Sequence, residues 1–210
     1  MTAAEMLTLL GLRMEDTGHV NFPSATKYSA LNVGQRTVVN LINEAYLTEL
    51  EVQQSKTPTS ANITNGYIPF DSNLAPIRNR FIAVQVKYAG DLKFATMMPF
   101  EDVKDIENQY LTPSEDSPVA WIFQNRLHIR PNVGMTELQL YYLGSPAAIA
   151  SGANSPLNVG LHDIIVDLAE AEMWKMDNKS SRAQLAQANA MAQIKILNER
   201  YQAEAPTGVQ

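Results

Sequence analysis

The feature that most constrains this chain is a change of hydrophobic period along it. Apolar residues recur every three or four positions at both ends and alternate in the middle. From Thr2 to Met14, the residues Ala3, Met6, Leu7, Leu10 and Met14 fall on one helical face. Thr2 followed by Glu5 has the spacing of a capping box. A second helix is expected from about Ala25 to Glu51, with Leu31, Gly34, Val38, Leu41 and Ala45 on one stripe and Ile42 and Tyr46 beside it. A third starts near Gly160, buries Leu161, Ile164, Ile165, Leu168 and Ala171, and ends at the polar break Asp177, Asn178 and Lys179. The fourth opens at Ser181, three residues before Gln184, and runs to about Ala203. Its stripe is Ala183, Ala186, Ala190, Ile194, Leu197 and Tyr201. Helices with one apolar face are marginal alone in water, so the four are expected to pack together as a small bundle.

The middle alternates with a period of two. Residues 81–88 place Ile82, Val84, Val86 and Tyr88 on one side. Residues 119–130 read as a hairpin turning at Gln124, Asn125 and Arg126, and 137–143 as a further strand with Leu138, Leu140 and Tyr142 on one side. A short helix is expected over 99–111, where Glu101 and Asp102 suit the positive end of its dipole. Residues 52–66 and 144–159 are rich in turn formers and read as long loops. The expected fold class is α+β: a helical bundle from the N- and C-terminal helices with an inserted antiparallel β-sheet module. As domains, this is one unit over 1–210, with helices in 2–51 and 160–203, a β-rich insertion at about 60–146, and a mobile tail at 204–210.

Composition narrows the function. The 210 residues are 45% hydrophobic and 18% charged, a globular balance. No apolar run approaches the ~18 residues of a membrane span. The opening MTAAEMLTLLGLRMED lacks the basic region and cleavage site of a secretory signal. With no cysteine there is neither a disulfide framework nor a thiolate metal site. A net charge of -6 argues against a dedicated nucleic-acid binder, which needs Lys and Arg to neutralise phosphates.

Catalytic patterns are missing. His19, His128 and His162 show no metal-ligand spacing, and no G-x-S-x-G elbow or phosphate loop occurs. His128, between Arg126 and Arg130, reads as part of a solvated strand face, and His162-Asp163 as a capping turn. Glu101, Asp102, Asp105 and Glu107 read as the wet face of a short helix opposite Phe100, Val103 and Ile106. No catalytic, cofactor-binding or metal-binding residue is therefore expected. A glycan hydrolase using Glu101 or Asp105, and a small ligand-binding domain, remain open alternatives. The aromatics Trp121, Phe123, Tyr141, Tyr142 and Trp174 are either core or interface anchors. Tyr141 and Tyr142 face opposite sides of a strand, so one of them points away from the core.

The stretch WIFQNRLHIRPNVGMTELQLYYLGSP, then NSPLNV, then a helix opening Leu161-His162-Asp163, resembles a signature of tailed-bacteriophage head-to-tail adaptor (connector or neck) proteins. The upstream VVNLINEAYLTELE fits the same order, and the resemblance spans about 28–200. It implies a non-enzymatic structural virion protein of the neck, assembled in the host cytoplasm. The implied assembly is a homo-oligomeric ring, twelve-fold by family analogy, between the portal protein and the tail tube, nozzle or fibre proteins. DNA would pass through such a ring without sequence-specific binding, and an acidic lining would let its phosphates slide. A terminal extension, here Ala203 to Gln210, would dock on the portal. Another head-completion or tail-terminator protein, or a peptidoglycan-cleaving virion enzyme, are the alternatives. The candidate interface residues are Trp121, Phe123, Arg126, Arg130, Tyr141, Tyr142 and Gln210.

Overall fold

A computed structural model describes residues 1–71, 74–107 and 112–204. Its helices are α1 (Ala3–Arg13), α2 (Ser24–Leu41), α3 (Ser60–Asn65), α4 (His162–Met176) and α5 (Ser180–Glu204). Its strands are β1 (Glu51–Lys56), β2 (Tyr67–Pro69), β3 (Phe81–Lys87), β4 (Leu92–Phe94), β5 (Thr96–Met97), β6 (Val119–Phe123), β7 (Arg126–Arg130) and β8 (Glu137–Leu143). The fold is α+β, as the change of period predicts. The chain divides into two compact units, one from Met1–Leu50 with the segment from Pro146 onward, the other Glu51–Ser145.

In the helical unit α4 is the central element. Ile164, Ile165, Val166, Leu168, Ala169, Ala171, Met173 and Trp174 are buried on nearly every side of it, the pattern of a helix enclosed by others. It packs on α2, α5 and α1. The α2–α4 crossing is close because Gly34 has no side chain: a Cβ there would lie 2.5 Å from the Ile165 carbonyl oxygen. On α5 the stripe Ala183, Ala186, Ala190 and Ile194 is buried as expected. The capping box of α1 forms: the Glu5 N–H donates to Thr2 Oγ1 at 3.2 Å and the Thr2 N–H to Glu5 Oε2 at 2.7 Å.

A buried ion pair fixes the turn between α1 and α2. Lys27 Nζ lies 3.0 Å from Asp16 Oδ2, with both side chains out of solvent, and also donates to the Asp16 carbonyl. The Asp16 carboxylate accepts from the backbone N–H groups of Val20, Asn21 and Phe22. Burial disfavours the charged form, but Lys27 and the N–H groups of Asn21, Phe22 and Val20 outweigh it. Together they hold the carboxyl well below the usual aspartate range.

The helix expected to run to Glu51 stops at Leu41. Ile42 is buried in an extended conformation. Asn198 of α5 reaches across the break, donating to the Leu41 carbonyl at 3.0 Å and accepting from the Asn43 N–H at 2.7 Å. Two 3-10 turns follow, Glu44–Tyr46 and Thr48–Leu50. The loop after Pro146 is tied to α2 by amide side chains. Asn32 exchanges two hydrogen bonds with Ile149, and Gln35 donates to Ala147 and accepts from Ser155.

The β-rich unit contains two four-stranded sheets, ordered β1-β8-β3-β4 and β2-β7-β6-β5. The first is antiparallel throughout, whereas β5 pairs parallel to β6 in the second. Their inner faces share one core that includes Ile68, Phe81, Val84, Val86, Ala120, Leu127, Ile129, Leu138, Leu140 and Tyr142. The stretch 52–66, expected to be a loop, instead carries β1 and α3. Strand β1 has no alternating apolar pattern; its partner β8 defines it. The segment expected as a short helix forms a 3-10 helix over Phe100–Glu107.

Candidate functional site

Strands β6 and β7 turn through Gln124 and Asn125, both at positive φ, the geometry of a two-residue hairpin that matches strand twist. The register places Phe123 opposite Arg126, Trp121 opposite His128 and Val119 opposite Arg130, while Tyr67 of β2 lies opposite His128. Leu127, Ile129 and Ala120 point into the core. By the alternation of a strand, Trp121, Phe123, Arg126, His128 and Arg130 share the outer face. Four of the seven expected interface residues thus come together.

The outer face is a continuous layer of rings and guanidinium groups. The His128 ring stacks on Trp121, with centroids 5.2 Å apart and planes at 12°, and Tyr67 flanks it at 5.4 Å. Phe100 stacks on Phe123 at 4.2 Å with planes at 8°. The Arg126 guanidinium lies over Tyr67 at 4.4 Å and that of Arg130 over Trp121 at 5.8 Å. Arg130 also donates to the Ile129 carbonyl at 3.1 Å and to that of Gly66 at 3.4 Å. Gly66 ends α3 at φ +70, and any Cβ there would fall on the Arg130 guanidinium. Among the described residues, neither Arg126 nor Arg130 has a carboxylate partner. Trp121 is 7% exposed, whereas Phe123 and Phe100 are 37% and 50% exposed. The layer is thus buried at Trp121 and open at Phe100, Phe123 and Arg126.

Other expected residues lie elsewhere. Tyr142, expected at an interface, is a core residue: it is 5% exposed, packs edge-on against Phe81, and donates to Gln54 at 3.0 Å. Tyr141 points outward on the first sheet, where its hydroxyl bonds Gln53, Gln85 and Gln139. Gln210 and the tail from 205 lie outside the described residues. His162 is buried and unconnected to Asp163; its Nδ1 meets the Met1 amino group at 2.9 Å and its Nε2 the Leu157 carbonyl at 2.8 Å. The capping role expected of His162-Asp163 falls to Asn158, which accepts from the Gly160 N–H. Glu101 and Asp102 are exposed, while the side chains of Asp105 and Glu107 lie outside what the structure describes.

Over residues 1–210 the sequence matches the model of the family described as SU10 adaptor protein. The chain belongs to that family. Membership makes it a structural adaptor protein of a phage particle, from the head-to-tail adaptor group that the order of its motifs resembles. Among curated proteins none matches it. No helix among the described residues of this SU10 adaptor family member is long and apolar enough to cross a membrane.

Tyr67 and Phe100 complete the layer and escape a reading of the sequence. Tyr67 sits in a three-residue strand that follows a polar helix, and Phe100 carries the pattern of an ordinary amphipathic turn. The solvated strand face expected around His128 is also corrected, since its Nε2 is buried among rings and has no hydrogen-bond partner. Burial, then Arg130 and Arg126, push the His128 pKa below its ordinary 6.5. The folded protein therefore binds this proton less readily than the unfolded chain. His128 costs no stability above its ordinary pKa and destabilises the fold as the pH falls below it. The melting temperature is expected to drop between about pH 7 and pH 5, and less so in His128→Phe, which keeps a stacked ring without the proton. Equal drops in the two proteins would refute this.

Proposed function

We propose that this adaptor is one subunit of a closed homo-oligomeric ring, twelve-fold by resemblance, that joins the portal to the tail around the DNA exit channel. The whole-chain family match carries this reading. A ring needs two different, mutually complementary surfaces on each copy. The helical and β-rich units supply chemically distinct ones: an outward row on α5 that includes Leu185 and Ile196, and the ring-and-guanidinium layer on the second sheet. The net charge of -6 suits a wall past which DNA slides without being gripped. Portal protein above and tail tube, nozzle or fibre proteins below are the partners of this reading, and the virion neck is its location.

The test is the mass of the purified protein, alone and mixed with its portal. A ring, or a monomer that joins the portal with fixed stoichiometry, is the expected result. A monomer that ignores the portal would sink the proposal.

A further inference from the structure

The outer layer of the second sheet has the composition of a protein-protein hot spot, aromatic and arginine-rich, with Phe100 and Phe123 open beside the hairpin turn. Its partner can be inferred from charge. Arg126 and Arg130 have no carboxylate partner among the described residues, and the chain as a whole carries 22 acidic against 16 basic residues. Within the same unit, Lys56, Lys87 and Lys93 are already paired with Asp71, Glu137 and Asp116. Asp91, Glu101, Asp102 and Glu115 are exposed without a cation partner among the described residues. One copy thus presents guanidinium groups without a carboxylate partner on this layer and unpaired carboxylates in segments outside it, at Asp91 between β3 and β4 and at Glu115, which is the complementarity a head-to-tail joint between identical copies requires.

We infer that this layer is the joint between neighbouring copies, with Arg126, Phe123 and Phe100 of one subunit seated on a carboxylate-bearing surface of the next. The inference rests on the ring reading and adds to it the surface that closes the ring. Stacking holds the rings in place before contact: Phe100 lies flat on Phe123, and Arg126 is already fixed over Tyr67. Little side-chain freedom is left to lose on association, which favours affinity. The guanidinium of Arg126 is half-buried, so its charge is less screened than that of a free surface residue.

The experiment compares self-association of the full chain, alone and on the portal, for wild type, Phe100→Ala, Arg126→Lys and Arg126→Glu. Side-chain oxidation footprinting of Phe100 and Phe123 before and after assembly provides a second measurement that needs no variant. Arg126→Glu is expected to weaken ring closure about tenfold or more, Arg126→Lys less, and Phe100→Ala by a similar amount at unchanged monomer fold. Phe100 and Phe123 should lose reactivity when the ring forms. Rings of wild type in which both phenylalanines stay as reactive as in the monomer would overturn the inference and leave the ring reading standing. Rings of Arg126→Glu that form normally but no longer take up a tail protein would also overturn it, assigning the layer to a different acidic partner. Wild type that remains monomeric on the portal would overturn both.

Discussion

Replacing Lys27 with methionine is expected to destabilise the helical unit by about 3–5 kcal/mol, the cost of leaving one member of a buried pair without its counter-charge. Methionine fills nearly the same volume, so the loss does not come from a cavity. Lys27 is wholly buried and touches Asp16 through both the carboxylate and the backbone carbonyl, with His19 Nδ1 3.0 Å away. Removing it strands a carboxylate that three backbone N–H groups alone must then stabilise. The midpoint of urea unfolding at neutral pH measures the effect, and Asp16→Asn in the Lys27→Met background should recover part of it. A Lys27→Met midpoint indistinguishable from wild type would refute the assignment. The pair also sets a direction with pH. Because the Asp16 pKa is depressed on folding, its stabilisation is complete above the ordinary aspartate value of 3.8 and is lost only as the pH falls below that. It therefore does not overlap the His128 window.

Gly34→Ala is expected to be the second large change, a net loss of about 1–3 kcal/mol despite the better helix propensity of alanine. That propensity offsets about 1 kcal/mol. The new methyl group would meet the Ile165 carbonyl oxygen at 2.5 Å and the Ala169 nitrogen at 3.3 Å. Both are backbone atoms of α4, so relief requires the helices to move apart rather than a side chain to rotate. Gly90→Ala, which meets nothing within 4 Å, is the control and should stay within about 0.5 kcal/mol of wild type. Thermal melts of both variants decide the point; equal melts would mean that α2 and α4 adjust without cost.

Elements whose own residues carry the signal were legible in the sequence. The Thr2–Glu5 box starts α1, the alanine stripe orients α5, and Leu127 and Ile129 alternate with Arg126, His128 and Arg130 to set the faces of β7. Elements defined by a distant partner were not. The apolar rhythm of α2 continues through Ile42, Ala45 and Tyr46, yet the helix ends at Leu41 because Asn198, far along the chain, caps the break. Strand β1 reads EVQQSK, with no apolar alternation, and is a strand because β8 lies beside it. At the candidate interface, the hairpin brought Trp121, Phe123, Arg126 and Arg130 onto one face by local rules. Tyr67 joined them through a three-residue strand that no local pattern announces, and Phe100 through the short helix expected over 99–111, whose place beside Phe123 the pattern does not reveal. Tyr142 shows the converse. Parity placed it opposite Tyr141 and on the side of Leu138 and Leu140, and that apolar side is the one that is buried.

The pairing of β1 with β8 also bears on the order in which the molecule folds. The chain leaves the helical unit just before Glu51 and returns just after Ser145, and Glu51 is the direct cross-strand neighbour of Leu143. Between Leu41 and His162, α2 and α4 are separated by about 120 residues of chain, a long loop to close before the two can meet. Once β1 and β8 pair, the path between the helices shortens about fourfold, lowering the closure entropy by about 1.2 kcal/mol. An early-forming β-rich unit would thus act as a clasp that speeds the docking of α2 on α4, and mutations that loosen β1 should slow formation of the helical unit.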